Sequence, residues 1–253
     1  MLLGIDHVIV AVRDLDAAAA EVERELGLQV GGGGRHAAHG THNRLAWLGD
    51  SYLELMGVFD ERLAAGSWWG RRALEVIAAG GGYIGLALAS DDLAADVERL
   101  RGQGSPISDP LAGERARPDG EIVRWRIGRL PEPDPDLGLA FLIEHDASAA
   151  EWRPSDRAAR AAEAHPLGTP VRLLRAELAV SDLRVAQHRL LRDLGLQLRP
   201  SLAGGGAREA SVGGQALRLL PGAVAEPRVV LRGGSAERSV GLLGLRFELV
   251  PAG

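Results

Sequence analysis

The stretch "GIDHVIVAV" at residues 4–12 decides the fold, because it places two polar residues inside the pattern of a buried β-strand. Most of its side chains are apolar and many are β-branched, as in a covered strand, whereas Asp6 and His7 are not. Successive side chains on a strand point to opposite faces. Val8 and Val10 therefore share a face suited to packing on a helix, and His7 points to the other face.

A pattern that begins in this stretch occurs three times along the chain. An apolar run, an acidic residue before a leucine, and a helical segment follow one another in "HVIVAVRDLDAAAAEVERELGLQV", "GLALASDDLAADVERLRGQG" and "RAELAVSDLRVAQHRLLRDLGLQL". The acidic residues stand where helix N-caps are needed, and they are Asp14, Asp92 and Asp182. Further strand candidates follow each helix. Each copy is thus predicted to be a β-α-β-β-β unit.

These units predict an α+β fold in which paired β-α-β-β-β units form a curved mixed-sheet cup, with a third, degenerate unit beside it. The first domain, residues 1–146, would contain the units 1–58 and 83–146, joined by a linker helix at 59–82. A helical linker at 147–170 would lead to the third unit and further strands at 171–253, some of which the pattern does not place.

Composition limits the classes of function. The net charge is −5, the 29 basic residues are all arginine and scattered, and aromatic residues make up 4% of the chain, so we expect no nucleic-acid partner. No apolar run approaches the roughly 20 residues of a membrane helix, and the N-terminus lacks the pattern of an export signal. The absence of cysteine excludes thiolate chemistry. We expect a cytoplasmic protein.

Four segments in order carry a resemblance to a known family: "GIDHVIVAVRDLDAA", "GGRHAAHGTHNRLAWLGDSYLELMGV", "VRWRIG" and "LAFLIEHD". Together with the paired units, they resemble the vicinal oxygen chelate superfamily, which includes glyoxalase I, extradiol dioxygenases and bleomycin-resistance proteins. They are most similar to its glyoxalase-like-domain branch. The resemblance covers residues 1–146 well and the third unit loosely.

The resemblance implies a cup that holds a divalent cation, with ligands on the first and last strands of both units. Strand alternation predicts that Leu53 and Leu55 face the helix and Glu54 faces the cup. The same reasoning places Phe141 and Ile143 under the helix and Glu144 in the cup. His7, Glu54 and Glu144 are the implied metal ligands, and either glutamate could also act as a catalytic base. This nitrogen and oxygen set suits Mn, Fe(II), Ni, Co or Zn.

The sequence departs from the four-ligand pattern of the superfamily. Gly85 occupies the first-strand position of the second unit and cannot bind a metal. In the third unit the aligned positions are Arg175 and Arg218, so that copy is not expected to chelate a cation. Any metal should lie between the first two units.

Other polar residues are candidates for substrate binding. His36, His42 and Asn43 match the motif of the branch and could shuttle a proton or contact substrate, whereas His39 is expected in solvent. If Val123, Trp125 and Ile127 pack under the helices, Arg124 and Arg126 point into the cup and could clamp a carboxylate or enolate. The alternative places both arginines at a wet rim, paired with acids. Trp68 and Trp69 are expected to cover the linker helix.

The resulting functional hypothesis is a divalent-metal-dependent lyase, isomerase or dioxygenase that acts on a small oxygenated organic substrate. The alternative is a metal-free protein that binds or sequesters a small molecule in the same cup. A third possibility is a scaffold whose extra unit mediates dimerisation, and a homodimer is compatible with each hypothesis.

Overall fold

Two β-sheets and the helices that pack on them form the architecture of the computed structural model. The structure describes residues 1–202, 204–222 and 226–252. Within these ranges the first sheet closes into a barrel of eight strands, and a second sheet of seven strands stays open. The predicted α+β class with curved mixed sheets is confirmed.

The first unit follows the predicted order of elements. They are β1 (Leu2–Ala11), α1 (Leu15–Leu26), β2 (Gly31–His36), β3 (Thr41–Leu48) and β4 (Ser51–Val58). Asp14 caps α1 as predicted, because its carboxylate accepts hydrogen bonds from the first-turn amides of Asp16 and Ala17, both at 3.0 Å. Gly27 ends the helix in the left-handed conformation, with φ of 66°.

The segment between the first two units contains two helices rather than the single helix predicted. They are α2 (Glu61–Ala65) and α3 (Trp68–Ala78). The chain breaks between them because Ser67 is extended and its hydroxyl caps α3, accepting from the N–H of Gly70 at 2.9 Å. The second unit then follows with β5 (Gly82–Ser90), α4 (Leu93–Gly102), β6 (Leu111–Ala116), β7 (Ile122–Arg129) and β8 (Leu139–His145).

The barrel is made by joining these two units at both edges. Its strand order is β1-β4-β3-β2-β6-β7-β8-β5. In each unit the first strand runs parallel to the last, β1 with β4 and β5 with β8, and β1 pairs antiparallel with β5. A single pairing of Arg35 with Ala116 links β2 to β6 and closes the curved sheet into a barrel.

The second sheet repeats the pairing scheme of the barrel. After α5 (Pro154–Ala162), its elements are β9 (Arg172–Val180), α6 (Leu183–Leu194), β10 (Arg199–Pro200), β11 (Arg208–Val212), β12 (Gln215–Pro221), β13 (Arg228–Arg232), β14 (Arg238–Leu242) and β15 (Leu245–Val250). Strand β9 is parallel to β12 and antiparallel to β13, which is parallel to β15. The strands that the sequence pattern did not place therefore correspond to a fourth unit, one with no helix between β13 and β14.

Strand register confirms which residues of the two sheets are equivalent. His7 pairs with Tyr52 in the barrel, and Arg175 pairs with Ala216 in the second sheet. Two residues further along the last strands lie Glu54 and Arg218, so arginines do replace both the histidine and the glutamate. Both arginines bond to the carboxylate of Glu177, Arg218 at 2.9 Å, and the second sheet has an ion-pair network at this place.

One large apolar core connects the two sheets. It combines the helix-facing residues of the barrel, including Val8, Val10, Leu53 and Leu55, with buried residues of the second sheet such as Leu217. These barrel residues have the orientation predicted from strand alternation. In the described part of the chain, the helices are too short or too polar to cross a bilayer.

Candidate functional site

A cavity of about 40 Å³ lies inside the barrel, which is room for a few water molecules or a small group of atoms. Aromatic and aliphatic side chains form most of its wall, and they are Ile9, Trp47, Tyr52, Met56, Trp69, Val123, Trp125, Phe141, Ile143 and Trp152. Polar side chains of both units also reach it, and they are His7, His36, Asn43, Glu54, Arg115, His145 and Glu151. An apolar wall on which polar side chains converge is typical of a small-molecule site.

Asp6 and His7 reach the site because β1 contains a bulge. Ile5 pairs with Leu88 and His7 pairs with Ala87 on β5. Asp6 is therefore the extra, unpaired residue of the bulge. The bulge also explains why Ile5 packs in the helix-facing core rather than on the His7 face, as alternation alone predicted. Asp6 is thereby buried directly behind the imidazole of His7.

The carboxylate of Asp6 holds two histidines. Its Oδ1 lies 2.6 Å from Nδ1 of His7, and both its oxygens lie 3.1 Å from Nε2 of His145. Burial alone would raise the pKa of Asp6, but the charge and hydrogen bonds of His145 and His7 outweigh it, and the pKa lies well below its usual value. Asp6 is therefore ionised at neutral pH and accepts a hydrogen bond from each ring.

Glu54 completes a line of titratable groups across the site. Its Oε2 lies 3.5 Å from Nε2 of His7, and its Oε1 accepts a hydrogen bond from the side-chain amide of Asn43 at 2.7 Å. The amide oxygen of Asn43 accepts in turn from the N–H of Gly34 at 2.9 Å, which fixes its orientation. Tyr52 stacks on His7 with ring centroids 4.5 Å apart. Asp6, His7 and Glu54 thus form a buried chain, and their contacts with neighbouring side chains restrict their orientations.

Three predicted site residues lie on the outer face of the barrel. Glu144 accepts hydrogen bonds from the N–H of Leu93 at the start of α4 and from Arg126, at 3.0 and 2.7 Å. Arg126 and Arg124 are exposed, and Arg124 lies 3.6 Å from Glu114. The predicted orientation of β7 and β8 is therefore wrong by one residue. Both arginines lie at an exposed rim and pair with acids, as the alternative interpretation of the sequence predicted.

The inner faces of β7 and β8 carry the apolar residues that were expected under the helices. Trp125, Phe141 and Ile143 line the cavity, and Leu142 belongs to the helix-facing core. Apolar side chains cover both faces of β8. In β7 the alternation is clear, but its apolar face lies inside the barrel and its arginine face is exposed, the reverse of what was predicted. His145, which follows Glu144, faces the interior in its place.

The remaining predicted residues divide between the two sides of the barrel wall. His36 and Asn43 line the cavity, and Trp69 lines it as well instead of only covering the linker. Burial and the nearby charge of Arg115 lower the pKa of His36 to about 3, so this ring is neutral at pH 7, and its Nδ1 lies 3.0 Å from the hydroxyl oxygen of Thr41. His42 lies outside, with its ring 5.9 Å from that of Phe59.

Sequence reasoning missed four polar residues of the site: Asp6, Arg115, His145 and Glu151. Asp6 carried a signal, since an acid beside His7 on a buried strand has to find partners. The side chains of Arg115 and Glu151 form an ion pair at 2.6 Å across 36 positions of sequence, and neither lies in a segment of recognisable pattern. His39, expected in solvent, packs its ring 4.4 Å from that of Trp69.

The cavity contains part of the donor set that a divalent cation needs. His7 and Glu54 offer a nitrogen and an oxygen 3.5 Å apart, and Asp6 holds the far ring nitrogen, as carboxylates do for metal-bound histidines. The third predicted ligand, Glu144, lies outside. Among the described residues no group of three or more His, Asp or Glu side chains is arranged to hold a metal. The residues therefore fit two ligand positions and not the predicted three.

Comparison with solved structures supports the fold. A crystal structure of a hypothetical protein from Staphylococcus aureus has a TM-score of 0.79 and 16% sequence identity, with 98% of each chain covered. A triple mutant of 4-hydroxymandelate synthase from Streptomyces coelicolor has a TM-score of 0.56 and 14% identity, covering 92% of this chain and 72% of that one. At these identities the likeness establishes the fold and not the chemistry.

Methylmalonyl-CoA epimerase from Mycobacterium tuberculosis is 23% identical, and the match covers 56% of this chain and 88% of that one. Its TM-score is 0.39, which is too low to establish a shared overall fold. No curated protein matches the chain. A family model described as "Glyoxalase-like domain" matches residues 5–194, which span the whole barrel and reach the end of α6. The chain belongs to the glyoxalase-like domain family.

Proposed function

We propose that the chain is an enzyme that removes a proton from carbon beside a carbonyl group in a small molecule bound inside the barrel. The observation that carries this proposal is the line of Asp6, His7 and Glu54, whose side chains lie 2.6 and 3.5 Å from one another in a buried cavity. General acid–base groups need this proximity and a site that excludes most water.

Each residue of the line has a distinct part in the proposed reaction. Asp6 accepts a hydrogen bond from Nδ1–H of His7 and so leaves the lone pair of Nε2 on the side of Glu54. Glu54, oriented by Asn43, takes the proton from the substrate carbon while the electrons of that C–H bond move to the carbonyl oxygen. The proton then passes from Glu54 to Nε2 of His7, which leaves an imidazolium beside the carboxylate of Asp6.

Hydrogen exchange tests the proposal without knowledge of the product. The protein is incubated in D2O with small carbonyl compounds such as hydroxyacetone, and deuterium at the carbon beside the carbonyl is followed by NMR. We expect Glu54→Gln to slow the catalysed exchange by about a hundredfold or more. Glu144→Gln is the matched control, since Glu144 lies outside the barrel, and it should leave the rate unchanged. Equal loss in both variants would contradict the proposal.

A metal-dependent lyase, isomerase or dioxygenase acting on a small oxygenated substrate is the second candidate. It is favoured by the carboxylate of Asp6 behind the imidazole of His7, an arrangement that also orients metal ligands. His7 and Glu54 would hold Mn, Fe, Ni, Co or Zn, with the remaining positions left to substrate or solvent, and such a cation would supply charge to polarise a carbonyl. Metal analysis of protein purified without a histidine tag separates this candidate from the first.

A metal-free binding protein of the same fold is the remaining alternative. Four tryptophans, Trp47, Trp69, Trp125 and Trp152, line the cavity and would bind an apolar ligand without any chemistry. Such a protein would bind small molecules and catalyse no exchange in D2O. A cytoplasmic location and a homodimeric assembly stay predictions in each case.

A further inference from the structure

Arg115 is a buried cation in the cavity wall. Its side chain is 5% exposed, and its Nη2 lies 2.6 Å from Oε2 of Glu151, whose side chain is 9% exposed. Glu151 has a φ of 69°, in the left-handed region that residues other than glycine rarely adopt. The segment after β8 is therefore held in an unusual conformation that brings this carboxylate to the guanidinium.

Two donors beside the cavity lack a partner among the described residues. Nη1 of Arg115 and Nε1 of Trp69 are both buried and make no hydrogen bond, although each can only donate. Buried donors are nearly always satisfied in native proteins, because an unmade hydrogen bond is costly away from water. A bound oxygen acceptor would satisfy them, and both residues line the same space.

The charges around the cavity indicate what kind of oxygen is accepted. The guanidinium of Arg115 is paired with Glu151, whose other oxygen also lies 3.8 Å from Nε of the more exposed Arg117, and Asp6 is shared by His7 and His145. Among the described residues, the carboxylate of Glu54 has an amide and an imidazole beside it but no arginine within ion-pair distance. A carboxylate ligand would place a second negative charge in this poorly screened space and would be repelled. An uncharged ligand meets no such repulsion.

We propose that Arg115, with Trp69, binds the carbonyl oxygen of an uncharged aldehyde, ketone or ester, and that Glu151 excludes carboxylates by neutralising Arg115. This inference rests on the proposed function and names its substrate class. Arg115 contacts the substrate oxygen on which negative charge develops. Glu151 is a positioning residue that acts through Arg115.

A matched pair of probes tests the inference by binding alone. Hydroxyacetone is uncharged, whereas pyruvate has the same three-carbon ketone skeleton with a carboxylate. Four of the five tryptophans line the cavity, so intrinsic fluorescence reports binding. We expect the protein to bind hydroxyacetone at least about tenfold more tightly than pyruvate. Glu151→Gln should reverse or abolish this preference by leaving Arg115 without its counter-charge, an effect that a purely structural role would not produce.

Variants of Arg115 complete the test. Arg115→Gln should weaken hydroxyacetone binding about tenfold or more, and Arg126→Gln, on the outer face, is the control and should not change it. Because breaking a buried pair can prevent folding, the double variant Arg115→Gln/Glu151→Gln removes both charges and should show the same weakening.

Three results would overturn the inference: equal affinity for the two probes in the unmodified protein, no binding of either, or unchanged binding in the double variant. These outcomes are distinct from failure of the proposed function. Selective binding that depends on Arg115 but gives no deuterium exchange would reject the catalysis and retain this site. Exchange that does not depend on Arg115 would reject this site alone.

Discussion

The side-chain oxygen of Gln215, on the second sheet, accepts a hydrogen bond from the backbone N–H of Ile5 at 2.6 Å. The amide nitrogen of Gln215 donates to Oγ of Ser51 at 2.7 Å, and Ser51 donates to the carbonyl of Ile5 at the same distance. Ile5 immediately precedes the bulge that buries Asp6. The second sheet therefore supports the part of β1 on which the Asp6–His7 arrangement depends.

This contact predicts that Gln215 affects the site from a distance. Gln215→Ala leaves the N–H of Ile5 unpaired, and we expect it to cost about 1 to 3 kcal/mol of stability. It should also slow deuterium exchange and shift the ring ¹⁵N resonances of His7. Gln197→Ala, an exposed residue of the same region, is the matched control. A variant that loses stability but keeps the rate and the His7 resonances would confine Gln215 to packing.

Asp6 should matter for the rate through its charge. Asp6→Asn keeps the shape of the side chain and can still accept a hydrogen bond from His7, but it no longer stabilises an imidazolium. We expect exchange to slow by about tenfold to a hundredfold, measured with saturating substrate. Asp50→Asn is a surface control, since Asp50 pairs with Arg157 in an exposed salt bridge. Equal rates in Asp6→Asn and the unmodified protein would remove Asp6 from the mechanism.

His36 should make the protein less stable in acid. Its pKa is about 3 in the folded chain and 6.5 ordinarily, because burial and Arg115 disfavour the charged ring. Between these values the unfolded chain binds a proton that the folded chain does not. The free energy of unfolding is therefore unaffected by His36 above pH 6.5. As the pH falls from 6.5 towards 3, protonation of His36 in the unfolded chain lowers the free energy of unfolding by about 1.4 kcal/mol per pH unit.

Urea unfolding at pH 7, 6 and 5 measures this effect. His36→Gln can keep the hydrogen bond to Thr41. In this variant the unfolding free energy should fall less steeply with decreasing pH, and the slope should be smaller by about 1.4 kcal/mol per pH unit, the value for one proton. Burial also lowers the pKa of His39 and of His165, so part of the slope should remain. Identical slopes in the variant and the unmodified protein would show that His36 titrates normally.

Gly85 explains why the second unit lacks the histidine of the first. Gly85 is the first residue of β5 that pairs with the parallel strand β8, and His7 is the first residue of β1 that pairs with β4. A Cβ atom on Gly85 would lie 2.1 Å from the carbonyl oxygen of Leu139, closer than atoms can approach. We expect Gly85→Ala to cost about 2 kcal/mol or more in urea unfolding. Gly102→Ala, where nothing lies within 4 Å, should be nearly neutral, and similar costs would contradict this account.

The sequence was sufficient for the repeat, the helix caps and the inward orientation of His7 and Glu54, because these depend on local periodicity. It was insufficient for β7 and β8, because the barrel interior is itself apolar and takes Trp125 and Phe141, so an apolar face did not identify the side that packs on the helices. The bulge at Asp6 could not be predicted, since an extra residue in a strand has no local pattern. The pairing of Arg115 with Glu151 depends on how the linker returns to the barrel.

The most direct test of the central claim, proton abstraction by the Glu54–His7 pair, is the rate of deuterium exchange in protein treated with EDTA. Hydroxyacetone in D2O is followed by NMR with the EDTA-treated protein, with Glu54→Gln, and with the protein after addition of Mn, Fe, Ni, Co or Zn. Our account predicts that exchange persists after EDTA treatment and falls about a hundredfold in Glu54→Gln. Exchange that appears only after a cation is added, or that is unchanged in Glu54→Gln, would contradict it.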